Sequence, residues 1–226
     1  VTVLLVVAKA PVPGAVKTRL CPPATAEQAA RIAAAALRDT LDAVRATPGV
    51  TPVLAWAGRL TEAEDAVELT AALAGWSVLD QRGIGLGDRL ANAYAEVAAA
   101  YPDRPVLQIG MDTPQLTPAR LTGAVRRLRV ADAVLGRARD GGWWSLGLRD
   151  PRYAEVLREV PMSTADTGHD TWAALTGRGL RVAPLPVLRD VDEWPDALAV
   201  AMEVPEGRFA RRVATVRLAL VPGDRR

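Results

Sequence analysis

The chain's 226 residues include one cysteine, one histidine, one phenylalanine and only two lysines. The single Cys21 excludes an internal disulfide and suits a reducing compartment, which makes a cytoplasmic location the expectation. The single His169 excludes a histidine-based zinc site, and without a G-x-S-x-G elbow it cannot complete a Ser-His-Asp hydrolase. Long apolar runs are missing too. Val3 to Ala8 falls far short of the roughly 20 residues that span a bilayer, and no basic segment precedes it, so no membrane partner is expected. Nor is there an excess of one charge. Twenty-eight cations face 26 acids, a net +2 that argues against nucleic acid held by bulk electrostatics.

What is present is an ordinary globular balance, 50% hydrophobic and 24% charged, in a length that suits one domain. That domain is expected over residues 1–204. Residues 205–226 read as a mildly basic extension, packed as a helix or strand and frayed at its end. Val3 to Ala8 reads as a buried first strand, ended by a Pro/Gly-rich turn. Thr25 and Gln28 have capping-box spacing, and Leu37, Leu41 and Val44 follow along one helix face. Further strands are predicted near Thr51–Ala57, Trp76–Leu79, Pro105–Gly110, Ala133–Gly136, Trp143–Leu148 and Leu180–Pro184. Helices are predicted near Thr61–Leu73, Leu86–Tyr101 and Asp166–Thr176, with another capped by Thr117 and opened by Pro118. Strand–helix alternation at this spacing predicts an α/β domain with a mainly parallel sheet and helices on both faces. Ligands of such sheets bind beyond the carboxyl ends of the strands, so the loops there carry the chemistry.

Five loops stand out. The first, Lys9 to Leu20, holds three cations in eleven residues and both of the chain's lysines, with Gly14 shaping the turn. It is neither a Walker loop nor a dinucleotide fingerprint. Ammonium and guanidinium groups on a rigid turn can cradle phosphate oxygens, and the bland alternative is a solvated basic turn. Arginine-favouring codons would explain why lysine is scarce, but not why both survivors sit here. The second loop runs from Gln81 to Leu90, where Gly83, Gly85 and Gly87 let backbone approach a ligand at a helix start. In the third, Asp112 ends a buried strand before Thr113-Pro114, well placed for a hard divalent cation. Capping the next helix is the alternative role, but Thr117 already fills it. The fourth, Asp140-Gly141-Gly142 before Trp143-Trp144, is either a hairpin turn or a wall for a substrate ring. Adjacent tryptophans on a strand face opposite sides, so at least one belongs to the core. In the fifth, Asp190 and Asp192 point the same way in an extended segment, and one of them can join Asp112 on a metal. His169 and Cys21 read as a surface group at a helix start and a packing residue.

In this order the loops resemble the nucleotide-diphospho-sugar transferase superfamily with the GT-A fold, a three-layer α/β/α, Rossmann-like domain. More closely, the chain looks like the bacterial "transferase 1, radical-SAM/selenodomain-associated" glycosyltransferase family. The resemblance runs from Val3 to about Leu198 and rests on Ala8 to Gly14 with Lys17-Thr18-Arg19-Leu20, Gly110-Met111-Asp112-Thr113-Pro114, Asp140-Gly141-Gly142 and Asp190-Val191-Asp192. One departure is Met162-Ser163-Thr164, where that family's pattern has tryptophan before Ser-Thr, which touches an acceptor-side contact. The resemblance implies that Asp112 ligates Mg²⁺ or Mn²⁺, with Asp192 preferred over Asp190 as second ligand. It also implies that Lys17 and Arg19, with Lys9 close by, neutralise donor phosphates. Gln81 to Arg89, including Gly85 and Gly87, would line the donor or acceptor side. Asp140 is the candidate general base beside Gly141 and Gly142. The implied partners are a nucleotide or nucleotide-sugar donor and a small-molecule acceptor. The family resemblance puts sugar transfer narrowly ahead, and nucleotidyl transfer stays close behind it because similar Lys-Thr-Arg-Leu loops occur in phospholactate guanylyltransferase-like enzymes. A nucleotide-binding module without catalysis is the minor alternative.

Overall fold

The computed structural model describes residues 1–220. Seven strands build one sheet: β1 (Thr2–Lys9), β2 (Val50–Ala57), β3 (Ser77–Asp80), β4 (Val106–Gly110), β5 (Ala133–Ala138), β6 (Trp143–Leu148) and β7 (Val182–Leu188). Their spatial order is β3-β2-β1-β4-β6-β5-β7. Every pairing is parallel except those of β6, which runs against both β4 and β5. The helices are α1 (Ala26–Arg45), α2 (Ala66–Ala72), α3 (Gly85–Ala100), α4 (Pro118–Leu128), α5 (Thr167–Gly177), α6 (Trp194–Glu203) and α7 (Arg208–Leu220).

The three-layer arrangement follows from which side each strand residue faces. Leu4, Val6, Leu54, Leu107 and Ile109 pack with Leu37 and Leu41 of α1 and Leu121 and Val125 of α4. The alternate residues Val3, Leu5, Val53, Val106 and Leu146 pack on the other face, against Leu90 and Tyr94 of α3 and Leu175 of α5. A third cluster lies outside the sheet. There Ala29, Ile32 and Ala36, on the outward side of α1, meet Phe209, Val213 and Val216 of α7 and Val200 of α6. Alanine-sized side chains let α7 settle closely on α1. Asp39 of α1 then accepts hydrogen bonds from the backbone N–H groups of Arg208 and Phe209 at 3.3 and 2.9 Å, so the first turn of α7 is capped from a neighbouring helix.

Local signals explain most element ends. Thr25 and Gln28 make a complete capping box at α1, and the Thr117 side chain accepts from the Arg120 N–H at the start of α4. The helix predicted over 61–73 splits into a 3-10 turn, Leu60–Glu62, and α2, because Asp65 adopts φ 53 between them. β7 extends past the predicted end through Pro184 and Pro186. As an edge strand it has one unpaired side, which tolerates the missing N–H groups. The 3-10 helix Pro151–Arg158 and α6 were not foreseen from the sequence. Arg225 and Arg226, in the frayed end expected there, lie outside the described residues.

Candidate active site

β1, β4 and the β5–β6 hairpin all end on one edge of the sheet, because β6 returns antiparallel and places its turn beside the end of β4. Val191 N–H donates to the Asp112 carbonyl at 2.9 Å, which folds the loop after β7 back over the same edge. Around this meeting point lies a cleft of about 410 Å³, lined on its charged side by Lys9, Gln81, Asp112, Asp140 and Asp190. The edge anticipated from the alternation of elements is therefore where these side chains gather.

Lys17 ties the edge together. Its backbone is left-handed at φ 51, and its side chain is only 12% exposed. The ammonium donates to Asp112 Oδ1 at 2.8 Å and to the Val191 carbonyl at 2.5 Å, so one cation joins the first, third and fifth loops. Lys9 lies at the end of β1, and its Nζ donates to the Ala15 carbonyl at 2.8 Å, bracing the turn in which Gly14 takes φ 76. Gln81 donates its amide N–H to the carbonyls of Ala8 and Ala55 at 2.9 and 3.0 Å, pinning the loop after β3 to the ends of β1 and β2.

The acids divide into two groups. Asp190 faces the cleft, where burial first, and then the carboxylates of Asp140 and Asp112, push its carboxyl up to about 6 against the pull of Lys17. Asp192 instead pairs with Arg19 at 2.5 Å outside that lining. The two acids named from the sequence are therefore placed differently. Val191 turns inward into the third apolar cluster between them, and Asp190 rather than Asp192 joins Asp112 and Asp140. Asp140 accepts from the Gly142 N–H at 2.8 Å, which orients its carboxylate within the hairpin turn.

The glycines serve different ends. Gly141 takes φ 94, and a Cβ there would sit 1.8 Å from the Ala165 carbonyl oxygen. Its backbone therefore lies close against Ala165 before α5, with Gly168 N–H donating to the Gly141 carbonyl at 2.8 Å. Gly87 does not line the cleft. Its missing side chain makes room for the Leu157 carbonyl, 2.3 Å from where a Cβ would be, so its small size serves the packing of α3 on the 3-10 helix. Gly85 takes φ 82 and turns the chain into α3 without lining the cleft, and Leu86 does so in its place. Gly142 lines it directly. His169 is exposed at the start of α5. Trp143 faces the cleft, while Trp144 is buried and bonds the Pro186 carbonyl.

The donor set suits a hard divalent cation. The carboxylates of Asp112, Asp140 and Asp190 line the cleft and are oxygen donors, with the Lys17 ammonium already paired to Asp112. Among the described residues no three Asp, Glu, His or Cys side chains are grouped as a ready-made metal cage. Ligand phosphates and water would have to complete the shell, as is usual for Mg²⁺.

Residues 40–164 match the model of a bacterial family described as "Uncharacterized protein conserved in bacteria (DUF2064)". The chain belongs to the DUF2064 family. Among solved structures, this DUF2064 protein is similar to a Desulfovibrio desulfuricans G20 protein provisionally assigned as a nucleotide-diphospho-sugar transferase. The TM-score is 0.82 and the identity 25%, over 96% of this chain and 94% of that one. It shares its fold with the manganese complex of Rv0371c from Mycobacterium tuberculosis H37Rv, at TM-score 0.53 and 22% identity over 90% and 100% of the two chains. It shares it also with CMP:2-keto-3-deoxy-manno-octonic acid synthetase complexed with CTP, at TM-score 0.54 and 13% identity over 91% and 100%. No curated protein sequence matches. The DUF2064 chain therefore has the fold of nucleotide-utilising transferases. Among its described residues no helix is long and apolar enough to cross a membrane.

Proposed function

We propose that the protein transfers a sugar from a nucleoside-diphosphate sugar to a small-molecule acceptor, with Mg²⁺ or Mn²⁺ as cofactor. The observation that carries this reading is the ion pair of Asp112 and Lys17, 2.8 Å apart beyond the carboxyl ends of the adjacent strands β1 and β4, where Asp112 lines the cleft. In this arrangement Asp112 and Asp190 would hold the cation, and Lys17 would turn from carboxylate to phosphate when the donor arrives. A bound divalent cation would supply charge neutralisation on the diphosphate oxygens. Lys9 adds a second ammonium on the same side, where negative charge develops as the diphosphate leaves. The acceptor hydroxyl forms its bond to the sugar carbon as the carbon–oxygen bond to phosphate breaks. Asp140, held by the Gly142 N–H, receives the acceptor's proton.

A second reading, nucleotidyl transfer from a nucleoside triphosphate to a phosphorylated or acidic small molecule, is favoured by the first loop, whose Lys9, Lys17 and Arg19 suit a triphosphate. Melting in the presence of nucleotides, with and without Mn²⁺, separates the two. The lead reading expects nucleoside-diphosphate sugars with Mn²⁺ to raise Tm by roughly 5–10 °C at a hundredfold excess over Kd. A larger response to triphosphates promotes the second reading. No response to either removes both.

A further inference from the structure

Beside its charged groups the cleft has an apolar side, lined by Val7, Leu86, Leu90 and Trp143, and Gln108 lines it as well. Gln108 is the single polar side chain of β4, a strand otherwise apolar up to Gly110. Its pairing partners, Leu5 on β1 and Leu146 on β6, belong to the apolar cluster under α3 and α5, so the glutamine faces that layer. It is 3% exposed, and its Oε1 is buried with no hydrogen-bond partner. Among the described residues three other buried side-chain atoms share that condition, on Trp56, Thr113 and Gln115, but Gln108 is the one among them that lines the cleft. A buried amide oxygen without a partner has lost its water and gained nothing in return, so an apolar residue would serve the fold better at this position. Its presence calls for something in the cleft that bonds to it.

The surroundings define that something. Trp143 presents its ring to the cleft and is fixed by its Nε1, which donates to Thr171 Oγ1 at 3.2 Å. Asp140 and Asp190 line the same cleft as hydrogen-bond acceptors. An amide that both donates and accepts, carboxylates that accept, and an aromatic face together suit a ring bearing several hydroxyls. A nucleobase would use the aromatic face but has fewer donors for the carboxylates. We propose that this part of the cleft is a subsite for a sugar ring, with Gln108 bonding its hydroxyls and Trp143 as the wall on which it lies. The proposal rests on the transferase reading and deepens it. Gln108 lies within β4 and Asp112 in the loop that follows it, so the two are offset along one segment that lines the cleft. A sugar enters this position either as part of a nucleoside-diphosphate sugar or as a sugar 1-phosphate.

The test measures binding in the presence of Mn²⁺ to wild type, Gln108→Leu and Gln108→Met. The probes are UDP, GDP, UDP-glucose, GDP-mannose, glucose 1-phosphate, mannose 1-phosphate and inorganic phosphate. At least one ring-bearing probe should bind wild type more tightly than its ringless counterpart. Both variants should lose that advantage, by roughly tenfold, with affinity for UDP, GDP and phosphate unchanged and Tm equal or higher. Whether the advantage appears with the diphosphate sugars or with the 1-phosphates tells which source supplies the ring. An advantage that survives in both variants overturns the proposal. So does an equal loss for UDP and GDP, or the absence of any ring advantage in wild type. If the diphosphates fail to bind but the 1-phosphates show a Gln108-dependent advantage, the nucleotide reading falls and the subsite stands. If the diphosphates bind and the advantage ignores Gln108, the reverse holds.

Discussion

Lys17 is held in a left-handed backbone with its ammonium between the Asp112 carboxylate and the Val191 carbonyl. Lys17→Met should therefore do two things: lower unfolding free energy by about 1–3 kcal/mol in chemical denaturation, and weaken UDP more than uridine in calorimetry. Equal losses for the two would place Lys17 away from the phosphates. Asp112→Asn should lower Mn²⁺-dependent turnover by roughly 100-fold or more while the chain still melts cooperatively. Unchanged turnover removes Asp112 from the metal site. Asp190 gives a pH signature. Its folded-state value, about 6, lies above that of an ordinary carboxyl, so the folded chain holds the extra proton between about pH 4 and 6. Metal-free stability should accordingly fall as pH rises through that window, and Asp190→Asn should flatten the slope. A slope unaltered by that substitution would assign it elsewhere. At this scale the sequence shows residue type and order. It shows Asp112, Asp140 and Asp190 at strand ends, but not that Val191 turns Asp192 outward or that Lys17 closes on Asp112. Gln108 gave no local signal, because a glutamine within an apolar strand reads the same whether or not it has a partner.

The elements record how closely the backbone segments approach. Gly87→Ala should cost about 1–3 kcal/mol, read as a drop in Tm, because a Cβ would drive the start of α3 off the Leu157 carbonyl. An unchanged Tm would mean that the 3-10 helix moves away freely. Thr25→Ala, which removes the hydroxyl half of the α1 capping box, should cost about 1 kcal/mol by the same measurement. Capping motifs and strand runs could be read from the sequence because their cause is local. The direction of β6 could not, since it depends on β5 turning back at Asp140-Gly141-Gly142 instead of crossing over through a helix. α6 was hidden because Glu193, Trp194 and Pro195 read as part of an acidic loop. In the structure Glu193 and Asp196 form a capping box and Pro195 fills the first turn.

Across the whole molecule, three apolar clusters divide the labour. Two sandwich the sheet, and the third joins α1, α6 and α7 to Leu20 of the first loop and Val191 of the fifth. Phe209 is fully buried in that third cluster, so Phe209→Ala should destabilise by about 3–5 kcal/mol. It should also loosen the cleft, seen as faster amide exchange at Val191 and Asp192. Exchange that stays slow there would show that the two regions are uncoupled. The third cluster also gathers distant parts of the chain onto one surface. Leu20 in the first loop and Val191 in the fifth share it with Phe209, Val213 and Val216, so a change in α7 reaches both loops together.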